Sequence, residues 1–371
     1  MDRKLRVAVG LSGGVDSAVA TALLIEAGYE VVGLTMKIWS GRLAVAEGLK
    51  HACYGPGEEE DIAASRRLAD QLGIGYRVID LTELYEARVV EYFRGEYLAG
   101  RTPNPCVVCN RELKFGFLVS EARRTGLDFD CFATGHYVRI VERDGIRFLR
   151  RAAFEAKDQS YFLYSLDSGR LATILFPLGE LTKEEVRAKA RTLGLEAADK
   201  PESQDFIAGG DIAPLFSDRR PEPGDFVDEA GKVLGRHRGL PYYTVGQRRG
   251  LGISTGPEPY YVLGLEPGSN RVVLGRNDGL FAEGVELSGF RLQDPAMGDT
   301  GKVAGFGRIR QNHRPAACTV SLGEGGRARA IFKVAQRAIA PGQSLVLYDG
   351  EGLVLGGGII EKAVQDPGAE S

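Results

Sequence analysis

The sequence predicts an α/β protein: a doubly wound parallel sheet in the first half, then a small central domain and a C-terminal β-barrel. Three observations carry this reading. From Leu5, short apolar runs alternate with stretches of helical periodicity, the pattern of parallel strands joined by crossover helices. From Arg219 the chain turns rich in Gly, Pro, Arg and Tyr and loses that periodicity. From about Arg271 it becomes a series of short β-like runs broken by glycines. A chain of 371 residues has room for two or three cores, and the expected domains span 1–210, 211–274 and 275–365.

Taken in order, RVAVGL reads as the first strand, Ala18 to Ala27 as a helix, VVGLTM as a strand, Glu58 to Leu72 as a helix and YRVID as a strand. A helical stretch from Cys109 to Arg124 precedes the strand in CFATGHY. Val138 to Arg151 reads as a hairpin turning at Asp144-Gly145, a pair that accepts the positive φ of a tight turn. In FPLGELTKEEVRAKARTLGL, Thr182 is the expected N-cap, with Glu185 three residues on as its capping-box partner. The runs RVVLG, ARAIFKV, QSLVLYDG and GLVLGGGII are expected to be barrel strands, and VQDPGAES a frayed tail.

Composition excludes several classes. No apolar run approaches the roughly 20 residues of a membrane span, and MDRKLRVAVG passes straight from charge into a strand with no secretory leader pattern, so a cytoplasmic protein is expected. A net charge of -3 neither supports nor excludes a nucleic-acid partner. Five cysteines in such a compartment do not suggest a disulfide framework. Cys131 and Cys318 fall in apolar strand-like runs and read as small buried hydrophobes.

The stretch GLSGGVDS, Gly10 to Ser17, joins a strand to a helix. Its glycines let successive N–H groups point into one concavity at a helix N-terminus, which favours an anion. Ser12, Ser17 and Asp16 add hydroxyls and a carboxylate, and a carboxylate beside phosphates implies a metal ion. No Lys-Ser/Thr follows the glycines, so this is not a Walker A loop, nor is it a dinucleotide fingerprint.

The loop resembles the SGGxDS motif of ATP pyrophosphatases, Rossmann-like enzymes that transfer AMP to a carbonyl oxygen and release pyrophosphate. Beyond it, TPNPCVVCNRELKFG, ATGHY, KDQSYFLYSL, KPESQDF, YYTVGQRRGLGI and APGQSLVLYDG follow in the order found in the tRNA-specific 2-thiouridylase family, a resemblance running from about Leu5 to Ile360. It implies ATP and Mg²⁺ at Gly10, Leu11, Ser12, Gly13, Gly14, Val15, Asp16 and Ser17, with Met36 and Gly135 near adenine and ribose. It implies Cys109 as the residue that attacks or carries sulfur. It also implies tRNA contacts at Asn104, Pro105, His136, Lys157, Asp158, Gln159, Arg308 and Ile309, with Gln343 near the target base. Arginine clusters at 147–151, 219–220, 236–238 and 248–249, the last two flanking Tyr242 and Tyr243, fit phosphate contacts beside aromatic platforms.

Two departures matter. Cys106 stands where the family has aspartate, giving a Cys106-x-x-Cys109 pair, and Ile207 stands where the family has its second cysteine. A C-x-x-C pair suits a disulfide, zinc or an iron-sulfur cluster, and Cys53 lies on the sheet edge where such folds bind ligands. Cys53, Cys106 and Cys109 are therefore candidate ligands of a [4Fe-4S] cluster, beside zinc with His51 as fourth ligand or a Cys106–Cys109 persulfide pair. The expected activity is ATP-dependent thiolation of the tRNA wobble uridine, with sulfide or a donor protein supplying sulfur. Its rivals are another SGGxDS ligase, or a tRNA- or cluster-binding protein that has lost catalysis.

Overall fold

In the computed structural model, which describes residues 3–42, 52–200, 205–207, 211–253 and 258–365, the chain divides into two compact units. The first comprises residues 1–89, 105–214 and 352–354, the second residues 90–104, 215–351 and 355–371.

The first unit is built on β1 (Arg6–Gly10), β2 (Glu30–Lys37), β3 (Ala52–Tyr54), β4 (Gly75–Asp80), β5 (Cys131–Thr134), β6 (Val138–Arg143), β7 (Ile146–Arg151), β8 (Ile174–Leu175) and β9 (Asp205–Ile207). Its main sheet is parallel, in the order β4-β2-β1-β5-β8. The chain leaves β1 toward β2 on one side and returns through β5 on the other, so the carboxyl end of β1 is a topological switch point, where open α/β sheets bind ligands. Val7 and Val9 of β1 and Val15, Ala18, Val19 and Leu24 of the helix Val15–Glu26 bury together with Val186 and Ala190 of the helix Lys183–Thr192. The first helix starts three residues before the expected Ala18, because extended Gly14 serves as its N-cap.

The helix Glu58–Leu72 ends at left-handed Gly73, φ 66°, a conformation glycine adopts without a Cβ clash. Residues 105–124 are helical but not uniform: Pro105–Val108 is α-helical, Cys109–Phe117 is a π-helix and Leu118–Arg124 is α-helical. Residues 82–98, to which the sequence reading gave no element, are also helical, and again a π-stretch, Glu86–Val90, interrupts them. β6 and β7 form the expected hairpin, turning at Asp144 (φ 52°) and Gly145 (φ 78°). At Thr182 the capping box is complete: its hydroxyl accepts from the Glu185 amide at 3.2 Å and the Glu185 carboxylate accepts from the Thr182 amide at 2.7 Å.

The second unit holds β10 (Gly224–Asp228), β11 (Val233–His237), β12 (Tyr261–Glu266) and β13 (Arg271–Gly275) in a sheet ordered β11-β10-β13-β12. RVVLG, expected in the barrel, is β13 of this sheet: Val272 and Leu274 pack on Phe226, Leu240 and Val262, so burial assigns it here. The barrel follows from β14 (Phe281–Leu292), β15 (Lys302–Arg308), β16 (Ala316–Leu322), β17 (Ala328–Arg337), β18 (Ser344–Tyr348) and β19 (Val354–Val364), closed in the order β14-β17-β16-β15-β18-β19. Closure requires β19 to approach β14 closely: a Cβ on Gly356 would lie 2.3 Å from the Arg291 carbonyl. Residues 90–104 belong to this unit, where Arg94 donates to the Leu215 carbonyl at 2.5 Å and pairs with Asp218 at 2.8 Å.

Candidate functional site

The loop after β1 is shaped by glycines and held by side chains from distant elements. Gly13 has φ 69°, and a Cβ there would meet the Asp61 carbonyl at 2.9 Å. Gly14 caps the helix without any side-chain hydrogen bond, which leaves the first helical N–H groups for a ligand. Gly135 packs against the backbone behind them, where a Cβ would stand 2.7 Å from the Asp16 carbonyl carbon and 2.8 Å from the Ser17 nitrogen. Ser17 donates to the Gly14 carbonyl at 3.0 Å and Thr35 donates to the Leu11 carbonyl at 2.9 Å, so each bend of the loop is tied down.

Beside it lies a cavity of about 210 Å³ lined by Gly10, Leu11, Ser12, Asp16, Ser17, Met36, Gly135, His136, Gln159 and Lys114. Of the residues expected around the nucleotide, Gly13, Gly14 and Val15 shape the loop from behind, and Val15 is buried in the core. The Asp16 carboxylate receives two donors on one oxygen: the Tyr137 hydroxyl at 2.7 Å and the Lys183 ammonium at 2.7 Å both reach Oδ1. Lys183 is buried, whereas the Asp16 carboxylate stays 32% exposed toward the cavity. Lys200 donates to Asp61 Oδ1 at 2.5 Å and to the Gly13 carbonyl at 3.2 Å, fastening the glycine turn to the helix Glu58–Leu72. Lys183, Tyr137 and Lys200 were not among the expected site residues. The signals available were Lys183 directly after the N-cap, Tyr137 closing ATGHY and Lys200 opening KPESQDF.

The three expected thiols share one neighbourhood. Burial pushes Cys106 up to about 12, and the nearby Cys53 and Cys109 add to the shift while Lys114 opposes it. Cys109 is pushed up to about 11 by burial, against Lys114 and with a smaller contribution from Cys53. Cys53 reaches solvent, yet desolvation by the chain around it raises its thiol too, as expected for a side chain on the wall of a recess. The Tyr85 hydroxyl sits among them, its pKa driven well above the ordinary value by burial and then by Cys109, Cys53 and Cys106. The π-helix beginning at Cys109 departs from regular helix geometry at the nucleophile candidate, a placement common at functional sites. Among the described residues, no group of three His, Cys, Asp or Glu side chains is arranged to hold a metal ion, so the thiols are neighbours without a formed cage. His51 lies outside the described residues.

β3 pairs in parallel with β9, with Ala52 opposite Asp205 and Tyr54 opposite Ile207. Tyr54 is therefore the residue beside Ile207, the position where the resembled family carries its second cysteine, while Cys53, one residue earlier on the same strand, faces the other way. One cation joins thiols and cavity: Lys114 lines the cavity and lowers the pKa of Cys53, Cys106 and Cys109. His136 is held neutral, its pKa well below the ordinary value through burial and Lys114, and it shares a 2.6 Å hydrogen bond with Thr134.

The expected tRNA contacts divide by exposure. Lys157 is half-buried, and Gln159 lines the cavity while accepting from the Tyr137 amide at 2.9 Å. Asp158 is fully buried, accepting from the Ala152 and Ser160 amides and the Ser160 hydroxyl, so its side chain shapes the turn instead of reaching RNA. Asn104, Pro105, Arg308 and Ile309 are likewise buried. In the second unit, Gln343 donates to the Thr102 and Pro103 carbonyls at 3.1 and 3.2 Å. Arg236 pairs with Asp225, Arg238 lies over the Tyr242 ring at 4.2 Å and Tyr243 is buried, so the expected open platform is already occupied by protein. Cys318 is buried as expected. Cys131 is not: at the start of β5 it is partly exposed beside Asp130 and Arg147.

Comparison with known proteins covers the whole chain. The model of the tRNA methyl transferase HUP domain matches residues 5–208, that of the tRNA methyl transferase PRC-barrel domain residues 215–276 and that of the Aminomethyltransferase beta-barrel domain residues 291–360. The tRNA-specific 2-thiouridylase MnmA of Carboxydothermus hydrogenoformans is 44% identical, over 96% of this chain and 98% of its own. Its counterpart in Acetivibrio thermocellus is 41% identical over 96% and 99%, and that of Geotalea uraniireducens 43% identical over 100% and 98%.

Proposed function

Since the chain belongs to the tRNA-specific 2-thiouridylase family, we propose that it replaces the 2-oxygen of the wobble uridine in tRNA with sulfur at the expense of ATP. The family model's wording names methyl transfer and the relatives' names sulfur transfer, and the site favours sulfur. The observation that carries this is the Lys114 ammonium, which lines the phosphate-loop cavity and also acts on three thiols.

In the proposed reaction the uridine carbonyl oxygen attacks the α-phosphorus, and the bond to the bridging oxygen breaks as pyrophosphate leaves with its electron pair. A sulfur nucleophile then adds to the activated ring carbon and gives up its proton, and AMP leaves with the C–O pair. The loop N–H groups receive the β and γ phosphates. Asp16 suits Mg²⁺, because Oδ1 is occupied by Tyr137 and Lys183 while Oδ2 makes no hydrogen bond among the described residues. Mg²⁺ would neutralise the phosphates there. Met36 and Gly135 are proposed to face the nucleoside. Lys157, Gln159, His136 and Gln343 are the expected tRNA-side residues that retain some exposure. A cytoplasmic setting goes with these substrates.

Cys109 is proposed as the sulfur-handling residue, with Cys106 and Cys53 in support. Cys53 is one residue out of register with Ile207, on the other face of the strand pair, so it is proposed as a third thiol and not as a direct stand-in for the family's second cysteine. The same three thiols would be the donors to a [4Fe-4S] cluster, which would supply a binding place for sulfide. The deciding experiment is thiolation of a tRNA transcript with ATP and sulfide, run anaerobically beside iron, sulfide and zinc analysis of wild type and the Cys53→Ala, Cys106→Ala and Cys109→Ala variants. Thiolated product lost in Cys109→Ala, with about four irons per wild-type chain, is expected. Product without iron would leave thiolation standing and remove the cluster; no product from wild type would remove the assignment.

A further inference from the structure

The three lysines around the loop are not equivalent. Lys183 is bonded to Asp16, and Lys200 to Asp61 and the Gly13 carbonyl. Lys114 lines the same cavity, yet among the described residues it forms no hydrogen bond and no ion pair. It is flanked by Leu113 and Phe115, both buried, so its backbone is fixed by the core while its amine is left for the cavity. A cation lining such a cavity, with no anion paired to it among the described residues, is a binding element for an anionic group.

Position selects which anion. Lys183 holds Asp16 in the first helical turn and Lys200 holds the glycine turn, where the loop and the helix N-terminus would receive the terminal phosphates. Lys114 lies toward His136 and the thiols, whose electrostatics it shifts. The sulfur nucleophile must approach a carbon joined through one oxygen to the α-phosphorus. The group at the junction of loop and thiols is therefore the phosphate that stays with adenosine. We propose that Lys114 is the ligand of that α-phosphate, holding it first in ATP, then in the adenylated uridine and last in departing AMP. This rests on the ATP-dependent thiolation reading above.

Isothermal titration with AMP and with adenosine separates this role from a structural one, because the two probes differ only in that phosphate. Wild type is expected to bind AMP more tightly than adenosine. Lys114→Met should weaken AMP by roughly 10- to 100-fold, the range for a lost charge-assisted contact, and leave adenosine affinity and melting temperature unchanged, while Lys114→Arg should restore most of the AMP affinity. Equal losses for both probes, or AMP binding unaffected by Lys114→Met, would overturn the proposal while leaving the thiolation reading intact. Wild type that binds neither probe would overturn both.

Discussion

Cys109 is surrounded by groups that keep its proton on: burial and Cys53 raise its pKa to about 11, and Lys114 recovers only part of the shift. At neutral pH the thiol form is therefore favoured, and the thiolate fraction grows with pH up to that value. In metal-free protein, alkylation of Cys109 by iodoacetamide should accelerate roughly tenfold per pH unit between about pH 8 and 10, followed by peptide mass spectrometry. A plateau near pH 9 would mean an ordinary thiol. Exposed Cys53 should be modified before either helix cysteine. What was legible in the sequence at this scale was local. The loop and the C-x-x-C pair announce themselves because their residues are adjacent. Tyr137 and Lys183 reach Asp16 across 121 and 167 residues, and no local pattern carries such a contact.

Elements were read well where a chemical rule fixes them. The capping box at Thr182 and the Asp144-Gly145 hairpin formed as expected, because each satisfies its own backbone within a few residues. The interrupted helices were not readable, since a π-stretch such as Cys109–Phe117 depends on the side chains packed around it. The meeting of β5 with the phosphate loop likewise exists only in three dimensions, and its tight point is Gly135. Gly135→Ala is expected to push Asp16 and Ser17 out of place at a cost of about 1–3 kcal/mol, the range for overpacking. Calorimetry should then show a roughly tenfold or greater rise in the Kd for ATP with the circular dichroism spectrum retained. Unchanged ATP affinity would mean the loop has slack there.

At the scale of the whole molecule, composition shifts revealed the β-rich second half, but the interleaving of the chain was invisible, because residues 90–104 join the second unit through contacts with residues more than a hundred positions away. A fragment ending at residue 214 would leave buried Arg94 without the Leu215 carbonyl and Asp218, and Arg101 without Glu361. Arg94 would keep only Glu91, and losing the other partners of a buried charge costs up to about 3–5 kcal/mol. The fragment should therefore melt well below the full chain and bind a hydrophobic dye, and an equal melting temperature would show that the segment folds without them. The pairing of β3 with β9 has a different consequence. A search that scores one alignment column at a time would record the isoleucine at 207 as an erased catalytic position. Neighbouring strands run only about 4.8 Å apart and residues in register share a face, so the position that could stand in for 207 is its partner Tyr54, and homologues lacking the second cysteine are best screened for one a strand's width away, at the position that aligns with Tyr54.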